Sequence, residues 1–591
     1  MKKTMFLAML TAMMAVCTSC TKDDTFENDS TNESGSAGNS NSDRNTGSTG
    51  GSTNATTGQL STFAVSIDRT TDEPASSVAA YYPEEEDDFS ANSFSSQVVI
   101  DMSSPTAKTE NGVTITVSGG HVKADHGDTK DICYYVTGTT TNGSLTIVGE
   151  KKYEVILNGV DITNPDSAAL NLLSKKRAFL MMADGSTNKL TDGTTSKNDH
   201  KGALYAKGKL LINGKGALDV YGNYNNAIHS ADYIVFSQGT NVYAKSTANN
   251  GIKTNDGIFI NGGILNVEVS AAAAKGLNSE SDIIINGGRT TVITTGGGAW
   301  DTDEQEAKGA AGIKSDTNVT VNGGELWLKS TGAGGKGISS DGAAYFYGGN
   351  TYIITEGAQY KSNNDTASPK GIKVDGDLDI NGGTIWVRTT GTNGEGIESK
   401  ATLNITGGEV ACYCYDDAIN SAGDMTISGG YVYAQSRTND GVDANGNCYV
   451  KGGVVFAISA GGAEVAIDAN SEDGKKLYVQ GGTIVALGGL EQGSQLTQSC
   501  YQASWTANTW YSLTSGSDTF AFQTPSNGAT GMVISTPSAP TLTKSVTVTG
   551  GTSLFGGLSS WGASISGGSG VSLSNYSGGS MGGGGMPGGR W

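Results

Sequence analysis

Apolar residues in this chain recur as pairs two positions apart, on both sides of a repeated Gly-Gly step. Five and three residues before the second glycine lie Ile283/Ile285, Val319/Val321, Leu378/Ile380, Leu403/Ile405, Met425/Ile427, Cys448/Val450 and Leu477/Val479. Two and four residues after it lie Leu265/Val267, Leu326/Leu328, Ile385/Val387, Val410/Cys412, Val432/Ala434 and Ile484/Ala486. A period of two places each pair on one side of a strand. A third marker, a small residue followed by an aliphatic one, keeps the same step, as in Ala203-Leu204, Gly276-Leu277, Gly371-Ile372 and Ala466-Ile467. The second glycine falls at Gly216, Gly239, Gly263, Gly288, Gly324, Gly349, Gly383, Gly408, Gly430, Gly453 and Gly482, at intervals of 22 to 36 residues. Three short strands per unit of roughly 24 residues, with no helical period between them, predict an all-β solenoid. The expected fold is a right-handed parallel β-helix of about 12 rungs over 169–490, since parallel crossovers nearly always take that hand.

Around this array the pattern changes. Residues 93–168 alternate, as in Val113-Thr114-Ile115-Thr116-Val117, but lack the repeat phrase, and are expected to form an N-terminal β cap. Residues 491–576 alternate again and are expected to form a C-terminal β-rich cap, followed by a Gly-rich tail at 577–591. Covers are needed because an open solenoid end is an exposed sheet edge. Residues 21–92 are mostly Ser, Thr, Asn, Gly and Asp, and read as a low-complexity tether. In 1–20, Lys2 and Lys3 precede an apolar run from Met5 to Val16, a secretory signal too short to span a bilayer. Cys17-Thr18-Ser19-Cys20 resembles a bacterial lipobox with Cys20 as the lipidation site, although Cys17 stands where Leu is usual. Lys22-Asp23-Asp24 is similar to the acidic tag of surface-exported lipoproteins in Bacteroidetes-type bacteria. An outer-membrane lipoprotein exposed at the cell surface is the expectation.

Charge and cysteine content narrow the partners. A formal net charge of −20 argues against nucleic acid and against anionic membrane surfaces, leaving a lipid anchor as the membrane contact. Cys133, Cys412, Cys414, Cys448 and Cys500 make neither a disulfide framework nor a CxxC pair; Cys412 and Cys448 take aliphatic positions and read as buried small hydrophobes. Asn261, Asn286, Asn322 and Asn381 precede the glycines in register and suit a turn-stabilising ladder. Two insertions, Gly296 to Ala310 and Glu356 to Ser368, lengthen their units and are expected to border a binding face.

Three outward columns carry candidate chemistry. The position three after the second glycine holds Trp327, Tyr352, Trp386, Tyr433 and Phe456, with Tyr243 joining by a one-residue slip. Such a strip, if exposed, suits the flat faces of sugar rings; the alternative is that caps or loops cover it. Around the small-aliphatic marker of the last rungs lie Glu395, Glu398, Asp416, Asp417, Asp440, Asp443, Glu464 and Asp468. Carboxylates one rung apart repel unless a cation separates them, and oxygen-only ligands favour Ca²⁺; a solvated acidic flank is the other reading. No lysine is expected in these columns there. In earlier rungs Lys275, Lys336 and Lys370 share one position, and Lys253, Lys314 and Lys373 another. These lysines either pair with nearby acids or hold carboxylate-bearing sugars.

The phrases from Tyr153 to Ile162 and from Asn188 to Gly193, with the Asn-Gly-Gly rungs, closely resemble the carbohydrate-binding β-helix family first recognised in clostridial cellulose and pectate binders. The resemblance covers roughly Val113 to Gly489 and the Gly-rich tail. It implies a fold like that of calcium-dependent pectate lyases and a role in polysaccharide adhesion. The family's Asp-Asp-Gly-Ile marker survives best as Asp416-Asp417-Ala418-Ile419 and Asn439-Asp440-Gly441-Val442, which confines inherited calcium sites to the later rungs. The expected function is non-catalytic polysaccharide binding, of plant cell-wall type or acidic glycan, assisted by Ca²⁺. A Ca²⁺-dependent uronate lyase and a structural adhesin with a protein partner are the alternatives, and exposure of Trp327 and Trp386 separates glycan platform from adhesin.

Overall fold

The computed structural model describes residues 58–461 and 464–579. The signal segment, Cys20 and most of the Gly-rich tail lie outside the described residues. No helix among those described is long and apolar enough to cross a membrane.

Each coil has the three strands that the alternation predicts. In one coil these are Ile258–Ile260, Ile264–Val269 and Lys275–Ser279, here termed the leading, trailing and marker strands. Each pairs in parallel with its equivalent one coil on, Ile258 with Ile283, Leu265 with Thr290, and Leu277 with Ile313. Leading and trailing columns belong to a 31-stranded sheet, and marker strands to a separate 15-stranded sheet. The fold is a parallel β-solenoid of about 15 turns, longer than the 12 rungs expected.

The added coils lie upstream. Ser96–Asp101 pairs in parallel with Ile132–Thr140, which pairs with Tyr153–Asn164. Gly120–Asp125, Gly143–Val148 and Leu170–Leu172 form the matching marker column. Much of the expected N-terminal cap is therefore continuous with the coils; only the hairpin of Lys108–Glu110 and Val113–Ser118 turns antiparallel against them. These early coils bury Val155, Leu157 and Ile162 as later ones do, but turn their corners without Asn-Gly-Gly. A count of the phrase misses them.

The phrase itself has a conformational cause. From Gly239 to Gly482 every second glycine has φ between 71° and 86°, a left-handed corner that costs an L-residue but not glycine. At the first unit this role passes to Gly214 (φ 99°) in place of Gly216. The asparagine ladder is present: Asn286 Nδ2 donates to Asn261 Oδ1 (3.0 Å) and Asn322 Nδ2 to Asn286 Oδ1 (2.8 Å). Inside, one continuous core runs the length of the rod, with Cys412 and Cys448 fully buried in it. Each such aliphatic side chain contributes about 1.5–3 kcal/mol.

The stretch expected as a tether becomes, from Gly58 onward, a strap laid along the solenoid. Leu60 is buried, and its carbonyl accepts from Arg388 Nη1 (2.8 Å). Phe63 lies 5.5 Å, centroid to centroid, from the ring of Tyr352, 6.3 Å from Trp386 and 6.4 Å from Trp327. Arg69 pairs with Asp219. Glu73 caps two corners, accepting from the backbone N–H of Gly239 (2.7 Å) and Gly263 (2.6 Å). Further on, the fully buried Asp87 accepts from Arg177 Nε (2.7 Å) and Tyr233 OH (2.6 Å), and Phe89 meets Phe179 edge-on at 4.9 Å. The composition of 21–92 resembles a linker because these few anchors are spaced widely among small residues.

At the other end, Met532–Ser535 pairs antiparallel with Thr483–Leu487 and closes the last trailing strand. A six-stranded antiparallel sheet, including Trp510–Ser515 and Asp518–Gln523, then folds back over the trailing column. Its Phe520 and Phe522, with Phe555 from the 3-10 turn Phe555–Gly557 between two of its strands, pack with Tyr433, Phe456 and Val485 in a second core.

Phe63→Ala should lower stability by at most about 1.5–3 kcal/mol, the worth of one fully buried large side chain, since Phe63 is partly buried. It should also raise acrylamide quenching of tryptophan fluorescence as Trp327 and Trp386 lose their cover. Unchanged melting and quenching would show that the strap does not dock in solution.

Candidate functional site

The structure keeps the aromatic strip in register but buries Tyr243, Tyr433 and Phe456 and covers part of Trp327, Tyr352 and Trp386. Trp327, Tyr352 and Trp386 do lie on successive trailing strands, Trp327 stacked on Tyr352 at 4.1 Å and 21° and Tyr352 edge-on to Trp386 at 5.8 Å and 83°. Phe63 sits over all three, leaving them partly buried. Tyr433 and Phe456 are fully buried under the C-terminal cap, and Tyr243 is 8% exposed beneath the Arg69 guanidinium, which lies 5.2 Å from its ring centre. Polar anchors fix the rings from the side: Glu409 Oε1 accepts from both Trp386 Nε1 (2.9 Å) and the Phe555 backbone N–H (3.0 Å). The expected sugar platform is corrected to a seam where strap and cap dock. Exposed rings stacked along a sheet are costly in water, and this chain covers them itself.

A second aromatic surface lies one column away, on the leading strands. Its outward positions run Thr320, Tyr345, Asp379, Asn404, Thr426, Tyr449 and Tyr478. Tyr449 and Tyr478 stack one coil apart at 4.8 Å and 12°. Tyr345 lies nearly parallel to Tyr347 at 6.3 Å and 10°, and Tyr347 is 54% exposed. Tyr347 takes the place of the ladder asparagine in its coil, which is why the Asn column breaks there. Asp379, which accepts from Asn404 Nδ2 (2.9 Å), lies between the two tyrosine pairs. The alternation around Gly-Gly marks these positions as outward, so a signal for them was present in the sequence.

The acidic columns divide in two. Glu395 and Glu398 are not free for a cation: Lys370, one coil back in the same column, lies 2.8 Å from Glu395 and 2.6 Å from Glu398, and Lys400 also pairs with Glu398. A lysine was not expected there because the side chain reaches forward across a coil. Burial raises the Glu395 carboxyl despite Lys370; for Glu398, burial is outweighed by Lys370 and Lys400, which hold it low.

Beyond this pair, among the described residues, no lysine or arginine pairs with Asp440, Asp443 or Asp468. Asp440, Asp443 and Asp468 bring one carboxylate oxygen each to within 4.8 Å of one another. Asn420 bridges Asp417 (3.2 Å) and Asp443 (3.3 Å), and Asp440 accepts from the Val465 N–H at 2.6 Å. Asp416 stands at the edge, holding Asn439 Nδ2 (3.1 Å), and Glu464 adds negative potential at Asp440 and Asp443. Burial, then neighbouring carboxylates, pushes Asp440 up to about 9, Asp443 to about 6 and Asp468 to about 8, and raises Asp417 as well. Glu491 continues the column, one coil beyond Asp468 and hydrogen-bonded to it. Its signal was the marker Gly489-Leu490, which repeats Ala466-Ile467.

A family model described as "Carbohydrate-binding domain-containing protein" matches residues 109–273, 267–358, 331–414 and 366–441, together more than half of the chain. A protein of Acetivibrio thermocellus with the same description is 29% identical over 158 residues, which are 25% of this chain and 53% of that protein. The chain thus spans about half the length of this relative. Among solved structures, a polysaccharide lyase-like protein from C. thermocellum, a gadolinium derivative, aligns at 22% identity over 44% of this chain and 96% of its own, with a TM-score of 0.28.

Linkage gives the acidic cluster a measurable signature. Between the ordinary aspartate value of 3.8 and the raised values of about 6, 8 and 9, the folded chain holds protons that the unfolded chain has lost. Its stability therefore falls as pH rises through that window. In chelator, the melting temperature should decline from mildly acid to alkaline pH, and Asp440→Asn should flatten the decline. A profile unaffected by Asp440→Asn would mean that these carboxylates are solvated and independent.

Proposed function

This chain belongs to the carbohydrate-binding domain-containing family, and from that premise we propose that it is a non-catalytic, polysaccharide-binding lipoprotein of the cell surface. Cys20 is its anchor to the outer membrane, and the solenoid holds a glycan chain along the open leading-strand flank. The observation that carries this reading is the pair of near-parallel tyrosine stacks on the leading strands, where Tyr347 is 54% exposed. Flat, half-exposed phenol rings offer apolar faces to sugar C–H groups, while Asp379, Asn404 and the exposed Asn381 supply hydrogen-bonding partners for hydroxyls between them.

Ca²⁺ fits the second feature. Asp440, Asp443 and Asp468 would hold it, a set of hard oxygen donors with the Asn420 amide close by. Among the described residues no ammonium or guanidinium group lies within 4.0 Å of these three carboxylates, so their repulsion is met by protons or by a cation. Bound Ca²⁺ would relieve that repulsion and offer open coordination positions to acid or hydroxyl oxygens. These three residues hold their protons less tightly in its presence, and the stability lost at high pH returns.

Two measurements test the reading. Tyr347→Ala with Tyr449→Ala should weaken retention on insoluble cell-wall polysaccharide at least about fivefold, since each ring contact contributes about 0.5–1.5 kcal/mol. Melting should be unchanged, whereas Trp386→Ala should lower melting. Retention unaltered by the tyrosine pair would overturn the flank. New ultraviolet absorbance from unsaturated product on polygalacturonate, abolished by chelator, would make the protein a lyase instead.

A further inference from the structure

The two insertions fold as antiparallel hairpins, Ala299–Asp301 with Glu306–Lys308 and Tyr360–Ser362 with Asp365–Ala367. They lock together, Asp365 Oδ2 accepting from the Ala307 N–H at 2.7 Å. Beneath them run marker strands whose first column reads Lys275, Ala311, Lys336, Lys370 and Glu395 in register. Hairpins and strands enclose an open-sided cavity of about 660 Å³, the size of a small-ligand site.

Almost every charge lining this cavity has a partner. Lys253 pairs with Glu280 (3.0 Å), Lys314 with Asp316 (2.9 Å) and Asp341 (2.5 Å), and Lys373 with Asp375 (2.7 Å). Lys308 holds Asp301 and Glu304, and Lys370 holds Glu395 and Glu398. Lys275 and Lys336 stand apart. Among the described residues no carboxylate lies within 4.0 Å of either. The Lys275 ammonium donates only to the carbonyls of Ala273 (2.5 Å) and Gly309 (2.6 Å), and Lys336 reaches the Gly334 carbonyl at 3.4 Å. Burial and neighbouring lysines hold Lys275 down to about 7 and Lys336 to about 8, the behaviour of cations short of counter-charge.

We propose that this cavity is an anion subsite for an acidic saccharide, with Lys275 and Lys336 each receiving one acid group, carboxylate or sulfate ester, of the same chain. Lys275 and Lys336 lie two coils apart, about 9.6 Å along the axis. That separation does not converge on one small ion; it suits acid groups repeated along a polymer. Ser339 and Thr366 line the same space and offer hydroxyls to the sugar. The inference rests on the glycan-binding reading and adds to it a site for the acid groups of such a glycan.

The test is calorimetric titration of the full chain with trigalacturonate, cellotriose and inorganic sulfate. Lys275→Met with Lys336→Met should weaken trigalacturonate at least about tenfold and reduce the salt dependence of binding, with cellotriose unchanged. Lys275→Gln with Lys336→Gln should reproduce the loss, which separates lost charge from altered packing. Wild-type affinity for trigalacturonate in both double variants, or no trigalacturonate binding to the unmodified chain, would overturn the subsite. Sulfate bound at the lysines and not displaced by trigalacturonate would overturn the saccharide assignment. Loss of cellotriose alone in the tyrosine variants bears on the flank and leaves the lysine site standing.

Discussion

Parallel coils stacked in register at about 4.8 Å dictate the rest of this molecule. The backbone ladder sets each residue against its counterpart about two dozen positions away, so every side-chain position becomes a column of near-equivalents. Columns of Ile, Val and Leu make a continuous core. A column of Asn satisfies itself, because an amide both donates and accepts. Columns of like charge or of exposed rings gain nothing from one another and need a partner from outside the repeat.

The molecule meets that need differently for each column. The aromatic column is covered by chain from both ends of the sequence, with Phe63 over Trp327, Tyr352 and Trp386, and Phe520, Phe522 and Phe555 over Tyr433 and Phe456. The marker column changes sign between Lys370 and Glu395, and the ion pair at that boundary neutralises the column there. On either side of it like charges accumulate, lysines toward the hairpins and aspartates toward the C-terminal cap. Both accumulations show the same physical symptom, ionisable groups displaced from their ordinary values toward the neutral form by burial and by their own neighbours.

Carbohydrate binding by a scaffold of this kind needs length and flatness more than a deep pocket. The leading-strand flank supplies a straight run of outward positions at rung spacing, with ring pairs at two levels and polar side chains between. The charged marker face adds what a neutral flank lacks, sites of opposite sign at separate heights on one rod. An acidic glycan can meet lysines directly and meet the aspartates only through a cation, so the two ends of the face would engage the same acid groups by different means.

The repeat was legible in the sequence because strand alternation and the left-handed glycine are local demands. They fixed the three strands per coil, the inward Ile283/Ile285 and Leu265/Val267 pairs, the buried Cys412 and Cys448, and the Asn261–Asn286–Asn322 ladder. The early coils were not legible as such, since they keep the alternation but turn without Asn-Gly-Gly. Which outward columns remain open was decided only by tertiary structure. The anchors of the strap, Phe63, Arg69, Glu73 and Asp87, are scattered among Ser, Thr, Ala and acidic residues, and their partners lie far away in the chain. A contact of that kind leaves no period in the sequence. The same holds for Lys370 reaching Glu395 and for the two hairpins closing over Lys275 and Lys336: register places columns side by side, but the reach of a side chain and the fold of an insertion determine what each column finally faces.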